Sequence, residues 1–371
     1  MKYPSLGAIA DLIEQLGDFD DIIDVRSPSE FAEDHLPGAI NCPVLDDAQR
    51  AEIGTLDKQS SSFEAKKRGA AYISEKIAFY LSNHFQHKDR YWKPLIYCWR
   101  GGNRSGAMAH VLAKIGWRVS QIDGGYKAYR HHVLEEIPRL TATFQYRVVC
   151  GPTGTGKSRL LHGLAAAGGQ VLDLEALAKH KGSVLGSLPA EAQPSQRSFE
   201  SALWNTLRHF DPSSIVFVEA ESKKVGNLRV PDCLMHAMRQ SPCIVLSMAR
   251  EERIQLLLEE YEHFTNDPSL LGANLDKLTG FFGHSKIAEW RAMSQAGNTA
   301  QLVGELLDFH YDPAYLKSIQ RNFLQLHAAQ RIDVPNCSIE AFSRISNDLL
   351  LDPIIDLAQN LLNPASLEAT E

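Results

Sequence analysis

The sequence predicts an α/β protein with two parallel-sheet domains in succession, the second ending in a helical C-terminal region. In the first 140 residues, short apolar runs alternate with helical patterns. From residue 144, an apolar run, a glycine-rich loop and a helical pattern follow directly on one another, and from about residue 251 the pattern is mostly helical. Strands that alternate with helices in this way are typical of parallel sheets.

The first predicted domain covers residues 1–140. Its apolar runs are bounded by turn-forming or charged residues, as expected of short strands, and lie at residues 20–26, 94–98 and 118–125. Apolar residues recur with helical spacing at residues 70–85 and 104–116. Each strand is therefore separated from the next by a helix, which favours a parallel sheet.

The second predicted domain covers residues 141–371, with the boundary placed near Pro138 to Thr143. Strands are predicted at residues 144–150, 214–220 and 242–248. Helices are predicted at residues 157–168, 251–264 and 343–362. The first of these helices ends at Gly168-Gly169, a usual helix stop signal.

The composition is that of an ordinary globular protein of 371 residues, with 44% hydrophobic and 22% charged residues. No apolar run near the start resembles a signal peptide, and no stretch approaches the roughly 18 apolar residues of a membrane span, so we expect a cytoplasmic protein without membrane contact. The six cysteines form no CxxC pair, which argues against a disulfide framework or a zinc site. We assign no residue to a metal.

The net charge of -7 is unevenly distributed along the chain. Residues 65–160 hold 17 Lys and Arg against 5 Asp and Glu, a net of +12, whereas residues 1–64 and 161–371 carry -10 and -9. The basic segment also contains Tyr126, Tyr129 and Tyr146, which could stack on bases or simply pack. Charge alone leaves two explanations, a binding site for a polyanion or a solvated face.

A cysteine ends the apolar run at residues 94–98, and Arg104-Ser105 opens the helix that follows, so the segment CWRGGNR is a connecting loop. Its glycines let backbone N–H groups point inward, and these donors form an anion site together with the helix N-terminus. The same field stabilises a thiolate, which predicts Cys98 as a nucleophile with Arg100 and Arg104 as its charged partners. The remaining predicted residues of the anion loop are Trp99, Gly101, Gly102, Asn103 and Ser105.

The spacing from Cys98 to Arg104 also fits cysteine phosphatases of the C-x5-R-S/T type. Residues 22–43 and 122–130, however, resemble the first and last signatures of the rhodanese family. Many sulfur-transferring rhodaneses have a six-residue loop, and the seven residues here favour a wider cradle for a tetrahedral oxyanion. Tyr97 stands where the phosphatases usually have a histidine, which weakens the phosphatase alternative.

The rhodanese resemblance implies a rhodanese-like first domain and structural roles for several polar residues of its first signature. These residues are Asp24, Arg26, Glu30, His35 and Gly38. The other cysteines are also expected to be structural, namely Cys42, Cys150, Cys233, Cys243 and Cys337.

The segment GPTGTGKS, residues 151–158, matches the phosphate-binding pattern G-x-x-x-x-G-K-S between a predicted strand and a predicted helix. The second domain is therefore predicted to be similar to P-loop NTPases. Lys157 would reach a terminal phosphate oxygen, and Ser158 could hold a magnesium ion. Because Glu219 stands where a strand-end Asp is usual, we predict diphosphate binding but not ATP hydrolysis. The predicted phosphate-binding residues are Gly151, Thr153, Gly154, Thr155, Gly156, Lys157 and Ser158.

Four segments in this order resemble the bacterial tRNA 2-selenouridine synthase family: residues 97–106, 151–158, 173–186 and 193–200. The resemblance covers most of the chain and is weaker after about residue 300. Lys181 departs from the arginine that we expect at its position, but it keeps the charge.

The resemblance implies that the sulfur of 2-thiouridine at the tRNA wobble position is replaced by selenium from selenophosphate. Geranyl diphosphate would first alkylate the sulfur, and selenium would then displace the geranylthio group. The P-loop could cradle the diphosphate and the Cys98 loop the selenophosphate. Cys98 would either carry selenium as a perselenide or only position selenophosphate, and the P-loop could instead bind a nucleotide or tRNA phosphate.

The implied partner is tRNA carrying 2-thiouridine, and an enzyme that produces selenophosphate is a further candidate. No tightly bound cofactor is expected, and a role for Mg²⁺ stays open. Two other functions stay open as well: a C-x5-R phosphatase joined to a P-loop kinase, and a non-enzymatic persulfide carrier or tRNA-binding module. Polar residues in the family-like stretches could bind ligand or serve as caps and surface: Asp173, Glu175, His180, Lys181, Gln193, Ser195, Gln196, Glu219, Glu221 and Lys223.

Overall fold

The computed structural model describes residues 3–183, 186, 191–262, 264 and 267–351. The chain divides into two compact units. The first unit comprises residues 1–140 and 194–209, and the second comprises residues 141–193 and 210–371. Both units are α/β structures with parallel sheets, as the sequence predicts. No helix in the described ranges has the length and apolar character needed to cross a membrane.

The first unit is built on a five-stranded parallel sheet in the order β1-β5-β4-β2-β3. Its strands are β1 (Ser5–Gly7), β2 (Asp21–Asp24), β3 (Ala39–Asn41), β4 (Pro94–Tyr97) and β5 (Ser120–Ile122). Its helices up to residue 143 are α1 (Ile9–Ile13), α2 (Pro28–Glu33), α3 (Asp47–Gln59), α4 (Ser62–Asn83), α5 (Asn103–Ile115) and α6 (Gly125–Thr143).

Of the three inner strands, β2 and β4 are covered on both faces. All four residues of β4 are buried, as expected for the centre of a parallel sheet. Helix α5 contributes Met108 and Leu112, one turn apart, to the same core cluster as Ile96 of β4 and Tyr80 of α4. This packing matters for function because it fixes the strand that leads directly into Cys98.

The second unit has a five-stranded parallel sheet in the order β12-β11-β6-β8-β7 and a separate antiparallel pair, β9 with β10. The strands are β6 (Tyr146–Cys150), β7 (Gln170–Leu172), β8 (Val216–Glu219), β9 (Lys224–Val225), β10 (Leu228–Arg229), β11 (Cys243–Met248) and β12 (Gln330–Val334). The helices after residue 143 are α7 (Lys157–Ala166), α8 (Leu174–Ala178), α9 (Gln196–Leu207), α10 (Asp232–Gln240), α11 (Arg250–Glu260), α12 (Pro268–Leu275), α13 (Thr279–Gln295), α14 (Thr299–Leu306), α15 (Asp312–Asn322) and α16 (Ile339–Leu350).

Helix α9 belongs to the first unit although it follows the P-loop in the sequence. Ser201 of α9 donates a hydrogen bond of 2.9 Å to the buried Asp34 carboxylate, and Arg197 forms an ion pair of 2.9 Å with Glu33. Trp204 is 1% exposed. A contiguous division at residue 140 therefore does not describe this segment, because buried polar and aromatic groups join α9 to the elements before that residue.

The C-terminal region differs from the expected helical pattern at one strand. β12 pairs in parallel with β11 at the edge of the second sheet, and only Val334 of its five residues is buried. A short edge strand with one buried residue has little apolar signal to mark it in the sequence. The predicted helix at residues 343–362 corresponds to α16 as far as Leu350, and residues 352–362 lie outside the described residues.

Candidate functional site

The cysteine loop joins β4 to α5 at the carboxyl end of the first sheet. Gly102, the residue before α5, has a φ of +72°, a left-handed conformation that favours glycine. A Cβ at this position would lie 2.7 Å from Nε2 of Gln121, so a larger residue would also displace the Gln121 amide. The loop therefore has the tight glycine turn that the sequence predicts in front of the helix.

Cys98 is 2% exposed, and a chain of hydrogen bonds leads to its sulfur. Ser105 Oγ donates to Cys98 Sγ at 3.3 Å, and Gln121 Nε2 donates to Ser105 Oγ at 3.0 Å. Since the Ser105 oxygen accepts the hydrogen bond from the Gln121 amide, the Ser105 hydroxyl proton points to the sulfur. The thiol itself donates to the carbonyl of Arg100 at 3.7 Å. This arrangement suits a sulfur that must hold negative charge for part of a reaction.

The rest of the loop offers backbone donors next to this sulfur. The N–H groups of Arg100, Gly101 and Gly102 have no hydrogen-bond acceptor among the residues that the structure describes. The side chains of Arg100 and Asn103 are exposed, and Trp99 is half-buried with its ring centroid 5.3 Å from that of Tyr126. Unpaired N–H groups with an exposed cation are the elements of an anion site.

Arg104 has a partner that the sequence did not indicate. Its guanidinium donates to both carboxylate oxygens of Glu30, at 2.6 and 3.2 Å. Burial opposes ionisation of Glu30, but the bond from Arg104 prevails and the pKa of this carboxyl lies below its usual value. Glu30 also accepts from the N–H of Ser27 in the capping box of α2. Arg104 thus ties the start of α5 to α2, while Arg100 is the exposed cation of the loop.

Residues of the first rhodanese-like signature are occupied in internal contacts. Asp24 and Arg26 form a buried ion pair at 2.6 Å. His35 stacks on Phe31 with ring centroids 3.9 Å apart, and its Nδ1 lies 2.9 Å from the carbonyl of the same residue. The hydroxyl of the fully buried Tyr97 accepts from the backbone N–H of Leu36 at 3.1 Å. These contacts are those of a scaffold.

The P-loop lies between β6 and α7 at the carboxyl end of the second sheet. Gly156 precedes the helix with a φ of +79°, and a Cβ there would lie 2.1 Å from the ring of Phe342. Lys157 Nζ donates to the carbonyl of Gly151 at 3.1 Å, so the lysine folds back across the loop. The N–H groups of Gly154 and Gly156 have no acceptor within the described part of the chain.

Arg253 of α11 contacts the P-loop, and the sequence did not predict this role. Its guanidinium donates to the carbonyl of Thr153 at 2.7 and 2.9 Å and forms an ion pair of 2.6 Å with Asp312. It is 8% exposed. Nothing near Arg253 in the sequence marks this role, since the loop lies 100 residues away.

Three glutamates meet beside Ser158 of the P-loop. Glu175, Glu219 and Glu221 bring carboxylate oxygens within 4.8 Å of one another, and Ser158 Oγ donates to Glu175 at 3.3 Å. Glu219 is fully buried, and neither of its oxygens has a hydrogen-bond partner among the described residues. Such a group of oxygen ligands fits a hard divalent cation such as Mg²⁺.

The environment of these glutamates disfavours their charged forms. Burial, followed by repulsion from Glu221, raises the pKa of Glu175 to about 8. Burial raises the pKa of Glu221 to about 7, although Lys157 opposes the shift. Burial also raises the pKa of Glu219 well above its usual value, with Glu175 adding repulsion. A bound cation would oppose all three shifts, because its charge stabilises the ionised carboxylates.

Several loosely assigned polar residues hold secondary structure together. The Asp173 side chain caps α8 by accepting from the N–H of Ala176, and Ser195 caps α9 by accepting from that of Ser198. Gln193 donates to the carbonyls of Ala178 and Val225 and accepts from the N–H of Asn227.

The other loosely assigned residues have different surroundings. Lys181 Nζ lies 3.5 Å from a Glu260 carboxylate oxygen and 4.6 Å from the centre of the Tyr261 ring. The Gln196 amide donates to Glu200 at 2.8 Å. Burial lowers the pKa of His180, and Lys223 is exposed. Of the loosely assigned set, only Glu175, Glu219 and Glu221 join the carboxylate group in the described structure.

Several aromatic and basic side chains of the basic segment are occupied in packing or in ion pairs. Tyr126, Tyr129 and Tyr146 are at most 4% exposed, so they pack and do not offer faces for bases. Arg130 is paired with Glu200 and Arg159 with Glu259. The exposed cations of this segment are Lys66, Lys67, Arg68, Arg90, Lys93, Arg100, Lys114, Arg118, Lys127 and Arg139.

The remaining cysteines lie outside the two loops. Burial raises the pKa of Cys42 to about 12. Cys150 and Cys243 are buried and interact with each other, and their hydrogen bond, with burial, raises the pKa of Cys150 strongly. Cys233 and Cys337 are half-buried.

Comparisons with known proteins match both predicted domains. Residues 144–273 match the family described as "tRNA 2-selenouridine synthase AAA domain", and residues 8–132 match the family described as "Rhodanese-like domain". A tRNA 2-selenouridine synthase of Nitrosomonas europaea is 36% identical over 269 residues, which are 70% of this chain and 68% of that protein. Enzymes of the same name from Sulfurovum sp. and Alcanivorax borkumensis are 30% and 31% identical, over 81% and 79% of this chain and 89% and 88% of theirs. The chain belongs to the tRNA 2-selenouridine synthase family.

Proposed function

We propose that this protein converts 2-thiouridine at the tRNA wobble position to 2-selenouridine in two steps. Geranyl diphosphate first alkylates the sulfur, and selenium from selenophosphate then displaces the geranylthio group. The observation that carries the proposal is the presence of two glycine-turn loops with unpaired N–H groups, one holding a thiol and the other a lysine. The names of the relatives support the tRNA product.

The P-loop supports the geranyl step because a diphosphate is the leaving group. Backbone N–H groups and Lys157 can stabilise the negative charge that develops on it. Arg253 holds the loop in shape through the Thr153 carbonyl. Alkylation, with loss of the N3 proton of the base, converts the thiocarbonyl into a thioether, whose sulfur can leave as a thiolate when C2 is attacked.

A magnesium ion held by Ser158, Glu175, Glu219 and Glu221 would supply charge neutralisation for the diphosphate. The support is the pair of unpartnered, buried Glu219 oxygens. Calorimetric titration of the protein with MgCl₂ tests this magnesium site. Absence of Mg²⁺ binding with geranyl diphosphate present would contradict it.

The Cys98 loop supports the selenium step as a site for selenophosphate. The exposed Arg100 and the loop N–H groups suit its phosphate portion. We favour positioning of selenophosphate over a perselenide on Cys98. Direct attack forms a C–Se bond while the C–S bond breaks and geranylthiolate leaves, and water then cleaves the P–Se bond to release phosphate. This route needs no oxidant.

Mass spectrometry of nucleosides from 2-thiouridine tRNA incubated with the protein tests the proposal. With geranyl diphosphate alone we expect 2-geranylthiouridine, and with both donors 2-selenouridine. Formation of 2-selenouridine without geranyl diphosphate would refute the two-step order, and no change of the base would refute the function. Rapid hydrolysis of an aryl phosphate without tRNA, lost in Cys98→Ser, would instead favour a phosphatase.

A further inference from the structure

Two hollows lie side by side in the second unit and share part of their lining. The first, the P-loop cleft, contains Lys157 and has a volume of about 440 Å³. The second, the lysine hollow, is lined by three lysines and has a volume of about 510 Å³. Gly182 and Ser183 line both hollows. A ligand with two chemically different parts can therefore occupy both at once.

The lysine hollow is positively charged. Its three exposed lysines are Lys179, Lys224 and Lys277. Lys179 lies 3.2 Å from Glu191, the carboxylate of this lining, and Lys277 donates to the neutral side-chain oxygen of Asn274 at 2.7 Å. Within the described ranges, neither Lys224 nor Lys277 has an ion-pair partner, and no aliphatic, phenyl or indole side chain lines the hollow. Cations without carboxylate partners and without an apolar wall fit phosphate groups.

The P-loop cleft has a different lining. Besides the P-loop and the three glutamates, it is lined by aromatic rings: Tyr261, Phe281, His310, Tyr311 and Tyr315. The Phe281 side chain is 71% exposed, and its ring centroid lies 5.9 Å from that of His310. Unpaired bases of RNA stack on aromatic side chains that are presented in this way. The cleft therefore offers a surface to a base, and the lysine hollow offers charge to a sugar–phosphate backbone.

Lys277 and Phe281 connect the two hollows. Lys277 belongs to a single 3₁₀-helical turn, Asp276–Leu278, which runs directly into α13, where Phe281 lies. Side chains four residues apart in a helical segment share one side, separated by about 6 Å along the axis. The first of the pair lines the lysine hollow and the second lines the P-loop cleft. A cation and an exposed ring at this spacing can contact the phosphate and the base of one nucleotide.

We propose that Phe281 stacks on the wobble base of tRNA in the P-loop cleft and that Lys224 and Lys277 bind the backbone phosphates next to it. The inference rests on the proposed function and deepens it, since it names residues that present the acceptor base to the alkyl donor. Both lysines lie outside the basic segment, in residues 161–371, which carry a net charge of -9. The charge along the sequence therefore does not reveal this site.

Binding of an anticodon stem–loop RNA with 2-thiouridine at the wobble position tests the lysines. Fluorescence anisotropy at several KCl concentrations gives the affinity of the full chain, and each lost phosphate contact lowers the slope of log K against log salt by about 0.7. Lys224→Ala combined with Lys277→Ala should reduce the slope by about 1.4 and weaken binding at least about fivefold. Lys317→Ala, exposed on α15 and outside both hollows, is the matched control. An unchanged slope in the double variant would overturn the phosphate assignment.

The same RNA with an abasic wobble nucleotide tests the ring. Phe281→Ala should weaken binding of the intact RNA at least about fivefold and of the abasic RNA less than about twofold, because stacking adds affinity only where a base is present. Phe281→Tyr should keep the affinity of the unaltered chain. Phe309→Ala is the matched control, since Phe309 is 57% exposed and lines neither hollow. Equal losses with the two RNAs would reveal a structural effect and overturn the stacking.

Two further measurements separate this inference from the proposed function. Calorimetric binding of inorganic diphosphate should be unchanged in the double lysine variant, and a loss as large as that for RNA would assign the lysine hollow to the alkyl donor and overturn the inference. Normal alkylation of subsaturating RNA by Phe281→Ala would also overturn it. RNA binding with the expected pattern, but without alkylation of the base when geranyl diphosphate is added, would refute the proposed function and support the base site.

Discussion

Replacement of Ser105 by alanine removes the only side-chain hydrogen bond that the described structure directs to the Cys98 sulfur. The bond is 3.3 Å long and buried, and Gln121 orients the hydroxyl that donates it. A hydrogen bond to a charged group contributes about 1.5–3 kcal/mol. Its loss should therefore raise the barrier to alkylation of the Cys98 sulfur by about this amount, which slows the reaction roughly 10- to 150-fold.

The rate of carbamidomethylation of Cys98 by iodoacetamide, followed by peptide mass spectrometry at neutral pH, measures this effect. We expect Ser105→Ala to slow the reaction by at least tenfold, and Gln121→Leu to slow it less because the serine remains. Ser74→Ala, an exposed position on α4, is the matched control. The rates in urea should be equal for all variants. An unchanged rate in folded Ser105→Ala would refute the role of this hydrogen bond.

Three further predictions concern the two loops. Cys98→Ala should abolish 2-selenouridine formation and leave 2-geranylthiouridine formation intact, and normal selenium incorporation in tRNA from cells with only this variant would contradict it. Lys157→Ala should slow geranylation at least tenfold, because it removes a full charge next to the diphosphate; an equal rate at saturating donor would count against it. In EDTA, the free energy of unfolding should fall by a few kcal/mol between pH 5 and pH 8, because Glu175 and Glu221 have folded-state pKa values raised to about 8 and about 7. A raised pKa means that protonation stabilises the folded state, fully below pH 4.5 and no longer above the folded-state pKa. The free energy of unfolding, measured in urea at each pH, should fall less steeply with pH in Glu175→Gln than in the unaltered chain. An equal pH dependence in both would disprove the assignment.

Both loops could be located from the sequence because each depends on local order. A buried strand, a glycine turn and a helix follow one another within about 20 residues, and this order also fixes where the backbone donors lie. The partners of the loops could not be located in this way. Glu30 lies 74 residues from Arg104, and Arg253 lies 100 residues from Thr153.

The carboxylate group shows the same limit. Glu175 stands at the start of α8 and Glu219 at the end of β8, so only the sheet order places them together.

The assignment of α9 to the first unit has a consequence for how this protein can be divided. A fragment that stops at residue 140 lacks Ser201 and Trp204, so the Asp34 carboxyl loses a donor and an aromatic contact to Tyr129 disappears. A fragment that starts at residue 141 would carry α9 with its buried face uncovered. Both fragments therefore lose contacts that the full chain makes, and the rhodanese-like unit becomes complete only after the P-loop has been synthesised.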